Sequence, residues 1–134
     1  MFTQNYIKMC EKAEEIQKIK TEGLNDRGLK NKDLVAYDCG DGLRIYNCSE
    51  ISCFWDIREK LIWLPTQEQL QGMVNHHYLT GFIYDLYEFS KEYLYMNNGN
   101  DLRFTSMNEL WLAFVMYEKY HKIWNRKDWI KEVN

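Results

Sequence analysis

Apolar and polar positions along this chain follow two rhythms, one of helical period and one of strand alternation. Tyr6, Met9, Cys10, Ala13, Ile16 and Ile19 recur at helical spacing, while Lys8, Lys12, Glu15 and Lys18 fall elsewhere. That pattern predicts an amphipathic helix over residues 3–22, stopped by Gly23. Residues 23–33 (GLNDRGLKNKD) carry two Gly, two Asn and alternating charges, the chemistry of an exposed loop. The rhythm then changes. Leu34-Val35-Ala36-Tyr37 and Leu43-Arg44-Ile45-Tyr46 flank Asp38-Cys39-Gly40-Asp41-Gly42, which predicts a hairpin, and Leu61-Ile62-Trp63-Leu64 reads as a third strand ended by Pro65.

Two helix starts are marked by their caps. Thr66-Gln67-Glu68-Gln69 and Ser106-Met107-Asn108-Glu109 both fit a capping box, in which the first side chain takes an orphan N–H and the fourth reaches back. Between them, residues 77–95 place Leu79, Phe82, Ile83, Leu86 and Tyr93 on one helical face and Asp85, Glu88 and Glu92 on the other. Asn97-Asn98-Gly99-Asn100 reads as a turn. The last helix, predicted over 107–124, is apolar on every side from Leu110 to Tyr117, so it belongs in the middle of the fold. The expectation is one α+β domain spanning 1–134. It has an N-terminal helix, a small antiparallel sheet of about three strands, and three further helices with 107–124 central.

Composition narrows the function classes. With five Trp, ten Tyr and six Phe in 134 residues, one Pro and seven Gly, the chain is neither disordered nor collagen-like. A net charge of −3 argues against nucleic acid as a partner. The densest basic cluster, Lys119, Lys122, Arg126 and Lys127, sits where the last helix should end and where cations complement its dipole. Residues 64–102 run the other way, with Glu68, Asp85, Glu88, Glu92 and Asp101 against Lys91 alone. The start Met1-Phe2-Thr3-Gln4-Asn5 lacks a signal-peptide pattern, and the longest apolar run, Leu110 to Tyr117, is far short of the ~20 residues of a membrane span. A cytoplasmic protein without membrane contact is expected, its four cysteines reduced.

Three groups of residues bear chemistry. Cys39, Cys48 and Cys53 crowd together, and with His77 they offer thiol and imidazole ligands for zinc, although their spacings are not those of paired zinc knuckles. Glu118-Lys119-Tyr120-His121 places a carboxylate and an imidazole one helical turn apart, the spacing of di-iron carboxylate bundles, but it occurs once where such sites need it twice. His76-His77 lacks a partnered nucleophile, and the chain has no Gly-rich phosphate loop, no G-x-S-x-G and no H-E-x-x-H. No catalytic residues and no cofactor are therefore assigned. The third group is aromatic. Fourteen of the aromatic residues lie in 77–134, and Tyr84 and Tyr95 fall beside Glu88 on the outer face of helix 77–95. Exposed tyrosines among carboxylates suit a protein-binding surface, since Tyr supplies contact area at little entropic cost.

Ile62-Trp63-Leu64-Pro65-Thr66-Gln67-Glu68-Gln69-Leu70-Gln71 and the stretch from Ser106 to Tyr120 (SMNELWLAFVMYEKY) resemble a family of small uncharacterised proteins encoded in phages and prophages of Gram-positive bacteria. The resemblance covers roughly residues 62–130, with a weaker echo in residues 9–17. It carries over no catalytic residues, because both stretches are also what the fold needs: a strand end, two caps and a buried helix. What it implies is a phage-encoded accessory protein in the host bacterial cytoplasm. Such a protein would act by binding a bacterial host or defence protein, as host-takeover and anti-defence factors do. The contact residues on this reading are Tyr84, Asp85, Glu88, Glu92 and Tyr95. The alternatives are a metal protein built on Cys39, Cys48, Cys53, His77, Glu118 and His121, or a small homo-oligomeric structural component of the phage.

Overall fold

The computed structural model describes residues 2–21, 29–30, 32–51, 60–74, 79–96 and 104–131, with the side chains of Thr21, 79–80 and 93–96 left aside. Helices and a small antiparallel sheet make it an α+β fold. The chain divides into two compact units, Cys10–Pro65 and the pair of segments Met1–Met9 and Thr66–Asn134.

The predicted N-terminal helix is two helices, α1 (Gln4–Lys12) and α2 (Glu14–Thr21). The break falls at Ala13, whose N–H bonds to Cys10 O at 3.1 Å in a tightened turn, while its own carbonyl starts α2 by accepting from Ile16 and Gln17. Charge explains the restart. Glu14 and Glu15 occupy the first turn of α2 and Lys18 and Lys20 its last, each complementing the helix dipole. The stripe Tyr6, Met9, Cys10, Ala13, Ile16 is fully buried, as its spacing predicts.

In the Cys10–Pro65 unit, β1 (Leu34–Asp38), β2 (Leu43–Asn47) and β3 (Ile62–Trp63) form an antiparallel sheet in the order β2-β1-β3. The β1–β2 turn is held by Asp38, whose carboxylate accepts from Gly40 N at 2.8 Å and Gly42 N at 3.1 Å. Both glycines have positive φ, 120° and 101°, which L side chains adopt only with strain. Val35, Cys48 and Leu61 form a small core, flanked by Leu29, Tyr37, Tyr46 and Ile51. Lys20 bridges buried Asp33 at 3.2 Å and lies over the Trp63 ring at 5.0 Å.

In the other unit, α3 (Gln67–Gln71) opens with the predicted capping box. Thr66 Oγ1 accepts from Gln69 N at 3.2 Å, and Gln69 Oε1 accepts from Thr66 N at 2.9 Å. α4 (Leu79–Met96) and α5 (Met107–Tyr120) follow. Trp111 to Met116 are all buried, as a helix without a polar face requires. α4 meets α5 through aromatic edges: Phe82 on Trp111 at 6.1 Å, and Phe89 on Phe114 at 5.5 Å and on Tyr117 at 5.3 Å. The inward stripe of α4 is thus half-buried Phe82 with buried Leu86 and Phe89, and Ile83, expected in the core, stands on the surface. Phe82 and Leu86 keep their expected seats, and the inward stripe is completed by Phe89, whose ring packs against α5, while Ile83 falls outside it.

The last helix ends four residues early. His121 turns left-handed (φ 55°, ψ 42°), and residues predicted as helix become β4 (Lys122–Trp124), paired with β5 (Trp129–Lys131). Asn125 Oδ1 builds the turn by accepting from Lys127 N at 2.9 Å and Asp128 N at 2.8 Å, with Arg126 at φ 81°. Of the basic cluster, Lys119 alone lies in the last helical turn, while Lys122, Arg126 and Lys127 belong to the hairpin. Trp129 Nε1 anchors β5 by donating to Met9 O at 2.9 Å. Among the described residues no helix is long and apolar enough to cross a membrane.

Candidate protein-binding face

The outer face of α4 carries the exposed chemistry. With Phe82, Leu86 and Phe89 turned inward, helical geometry puts Ile83, Tyr84 and Tyr87 outward as neighbours at i, i+1 and i+4. They are 59%, 64% and 58% exposed, unusual values for side chains of this size. The sequence pattern predicts Tyr84 there; it does not single out Tyr87 or Ile83, although Tyr87 stands three residues from Tyr84, the spacing that puts two side chains side by side on a helix.

The carboxylates beside them are less uniform than an acidic stripe. Lys91 Nζ bridges Glu88 at 3.1 Å and sits over the Tyr87 ring at 4.8 Å. The hydrogen bond to Glu88 raises the Lys91 pKa from its ordinary value, which favours the charged ammonium beside the ring. Glu92 is exposed, Asp85 is half-buried, and Ser90 Oγ turns back to Tyr87 O at 2.7 Å. The backbone of Tyr95 belongs to α4, but its side chain lies outside the described residues. The face is therefore three large apolar groups beside a Glu88–Lys91 pair, with Glu92 next in line.

The alternative metal ligands are dispersed between the two units. Cys39 is exposed at the β1–β2 turn, its sulfur 3.9 Å from the Tyr46 hydroxyl. Cys48 is buried, and burial first, then the charge of Asp33, pushes its thiol pKa up to about 11. Glu118 and His121 are both exposed on the other unit, and the left-handed turn at His121 takes it out of helical register with Glu118. Cys53 and His77, with His76 and the turn at 97–100, lie outside the described residues. Among the described residues no three His, Cys, Asp or Glu side chains are grouped to hold a metal ion. Comparison with protein-family models, curated proteins and solved structures finds no match for this chain.

Proposed function

We propose that this chain is a phage-encoded accessory protein of the bacterial cytoplasm that acts by binding a host or defence protein through the outer face of α4. The observation that carries the reading is the adjacency of Ile83, Tyr84 and Tyr87, each more than half exposed on one helix face. A helix presenting large apolar side chains at i, i+1 and i+4 suits insertion into an apolar groove of another protein. Lys91, Glu88, Asp85 and Glu92 would form the polar rim that such interfaces use for orientation. The likeness of residues 62–71 and 106–120 to phage and prophage proteins of Gram-positive bacteria supports a bacterial protein as the partner.

The test compares three immobilised proteins in one Gram-positive lysate: the wild type, Tyr84→Ala/Tyr87→Ala, and Glu88→Lys/Glu92→Lys. A protein retained by the wild type, lost with the tyrosines and weakened by charge reversal supports the assignment. Equal retention by all three would overturn the α4 surface.

A further inference from the structure

The sheet of the Cys10–Pro65 unit has two edges, and the molecule treats them differently. Leu64 N donates to Leu34 O at 2.8 Å, so alternation along an antiparallel ladder turns Leu34 and Ala36 toward β3 and leaves the backbone of Trp63 facing away from the sheet. Both outward groups of Trp63 are taken by the Gln17 side chain, which closes that edge. On the other side Cys48 N donates to Asp33 O at 3.0 Å. The same alternation then points Arg44 and Tyr46 toward β1, and Leu43, Ile45 and Asn47 outward. Glu50 accepts the Asn47 N–H at 2.8 Å. Among the described residues no hydrogen bond reaches the outward backbone of Leu43 or Ile45. Their side chains are 40% and 37% exposed. β2 contains no Pro, and Arg44 is its one charge. It therefore lacks most of the devices that keep edge strands from pairing, and outward N–H and C=O groups in extended backbone are recognised by another strand.

We propose that β2 pairs antiparallel with β2 of a second copy of this chain, about a two-fold axis at Ile45, joining two three-stranded sheets into one of six strands. Charge selects the register. A two-fold axis at Arg44 sets two guanidinium groups directly opposite each other, which is destabilising. An axis at Ile45 instead places each Arg44 across from the Tyr46 of the other copy, a cation beside an aromatic ring. In this register the two Ile45 residues exchange N–H···O=C bonds, and the Leu43 N–H faces the carbonyl side of Asn47, whose own N–H is held by the Glu50 carboxylate. A strand of five residues makes a small interface, so the association is concentration-dependent.

Sedimentation velocity of the full chain over about 10 µM to 1 mM, a span matched to weak interfaces, tests it together with backbone amide exchange at both ends of that range. The expected result is a shift from monomer to twice the monomer mass, with the amides of Leu43 and Ile45 slowed at least tenfold at the high concentration. Ile45→Lys, which sets two ammonium groups at the axis, is expected to return the mass to monomer. A monomer across the whole range overturns the proposal. So does a dimer in which the Leu43 and Ile45 amides exchange as fast as in dilute solution, since that assembly uses another surface such as α4. The proposal is independent of the α4 reading, because the lysate experiment and the amide readout report on different residues.

Discussion

The Gln17 side-chain amide occupies the place of a neighbouring strand beside Trp63: Trp63 N–H donates to Gln17 Oε1 at 2.8 Å, and Gln17 Nε2 donates to Trp63 O at 2.9 Å. The same Nε2 donates to Cys10 O at 3.0 Å, a carbonyl at the break between α1 and α2. One amide therefore satisfies backbone groups at a helix break and at a sheet edge.

Gln17→Ala is expected to lower stability by about 1–3 kcal/mol, because partly buried backbone groups of Trp63 lose their partners. Gln17→Glu separates the two roles. Its carboxylate still accepts from Trp63 but faces two carbonyl oxygens it cannot donate to, so the variant should be least stable at neutral pH and recover part of the loss as the carboxyl protonates. Urea unfolding of all three proteins at pH 7 and pH 5 measures this. Equal stabilities at pH 7 would show that the amide closes nothing.

Glu109 makes a second prediction. Its side chain is fully buried, and its carboxylate accepts from Thr3 Oγ1 at 2.6 Å, Asn5 Nδ2 at 2.8 Å, Thr105 Oγ1 at 2.8 Å and Ser106 Oγ at 3.3 Å. Burial pushes its pKa up, but the bonds from Thr3, Asn5 and Thr105 together outweigh burial and hold it below its ordinary value of 4.5. A group whose folded pKa is depressed contributes stability that is complete above the unfolded value and fades as pH falls through the folded one. Glu109→Gln is therefore expected to cost on the order of 2 kcal/mol at pH 7, since charge-assisted bonds are the stronger kind. The gap to the wild type should narrow below about pH 4.5, near the ordinary carboxylate pKa. A gap that stays constant from pH 7 to pH 3 would mean the carboxylate is not ionised in the folded protein.

These two polar centres mark the limit of what the sequence makes legible. The buried stripe of α1 and α2, the Asp38 hairpin, the Thr66 and Ser106 caps and the apolar belt of α5 all follow from spacing, since each depends on residues close in the chain. Local spacing predicts Glu109 as the far half of a capping box. It takes instead Thr3 and Asn5, more than 100 residues away, a pairing no local pattern encodes. Ile83 lies about 100° around the helix from Phe82, at the rim of the expected face, and it falls outside the contact that Phe82 and Phe89 make with α5. The break at Ala13 did have a local signature, because Lys12 followed by Glu14 and Glu15 is a helix end beside a helix start. On α4, Tyr84 was placed correctly at the surface, and the Glu88–Lys91 pair that tempers the acidic face is an i, i+3 contact that the same spacing rule contains.

The cysteines should separate by reactivity. Cys39 is exposed, whereas Cys48 is buried with its thiol pKa at about 11, so at pH 8 very little of Cys48 is the nucleophilic thiolate. Brief alkylation of the native protein at pH 8 followed by peptide mass spectrometry is expected to find Cys39 modified at least tenfold faster than Cys48. In denaturant the two rates should converge. Equal rates in the native protein would contradict the burial of Cys48.

His121 is the residue on which the end of α5 turns. It holds φ 55° and ψ 42°, a left-handed conformation that costs L residues roughly 1 kcal/mol, and its N–H closes the helix on Tyr117 O at 3.1 Å. A helix continuing through this position would carry Lys122 to Trp124 onward in helical register. The left-handed step releases them into β4, where Trp124 packs on Trp129 at 5.1 Å. Because the backbone rather than the exposed imidazole does this work, His121→Gly should stabilise the protein by about 0.5–1 kcal/mol. His121→Val, β-branched and poorly suited to positive φ, should destabilise it by on the order of 1–2 kcal/mol. Thermal unfolding at pH 7 ranks the three proteins as Gly above His above Val. His above both Gly and Val would place the stabilising interaction in the imidazole and return His121 to consideration as a functional side chain.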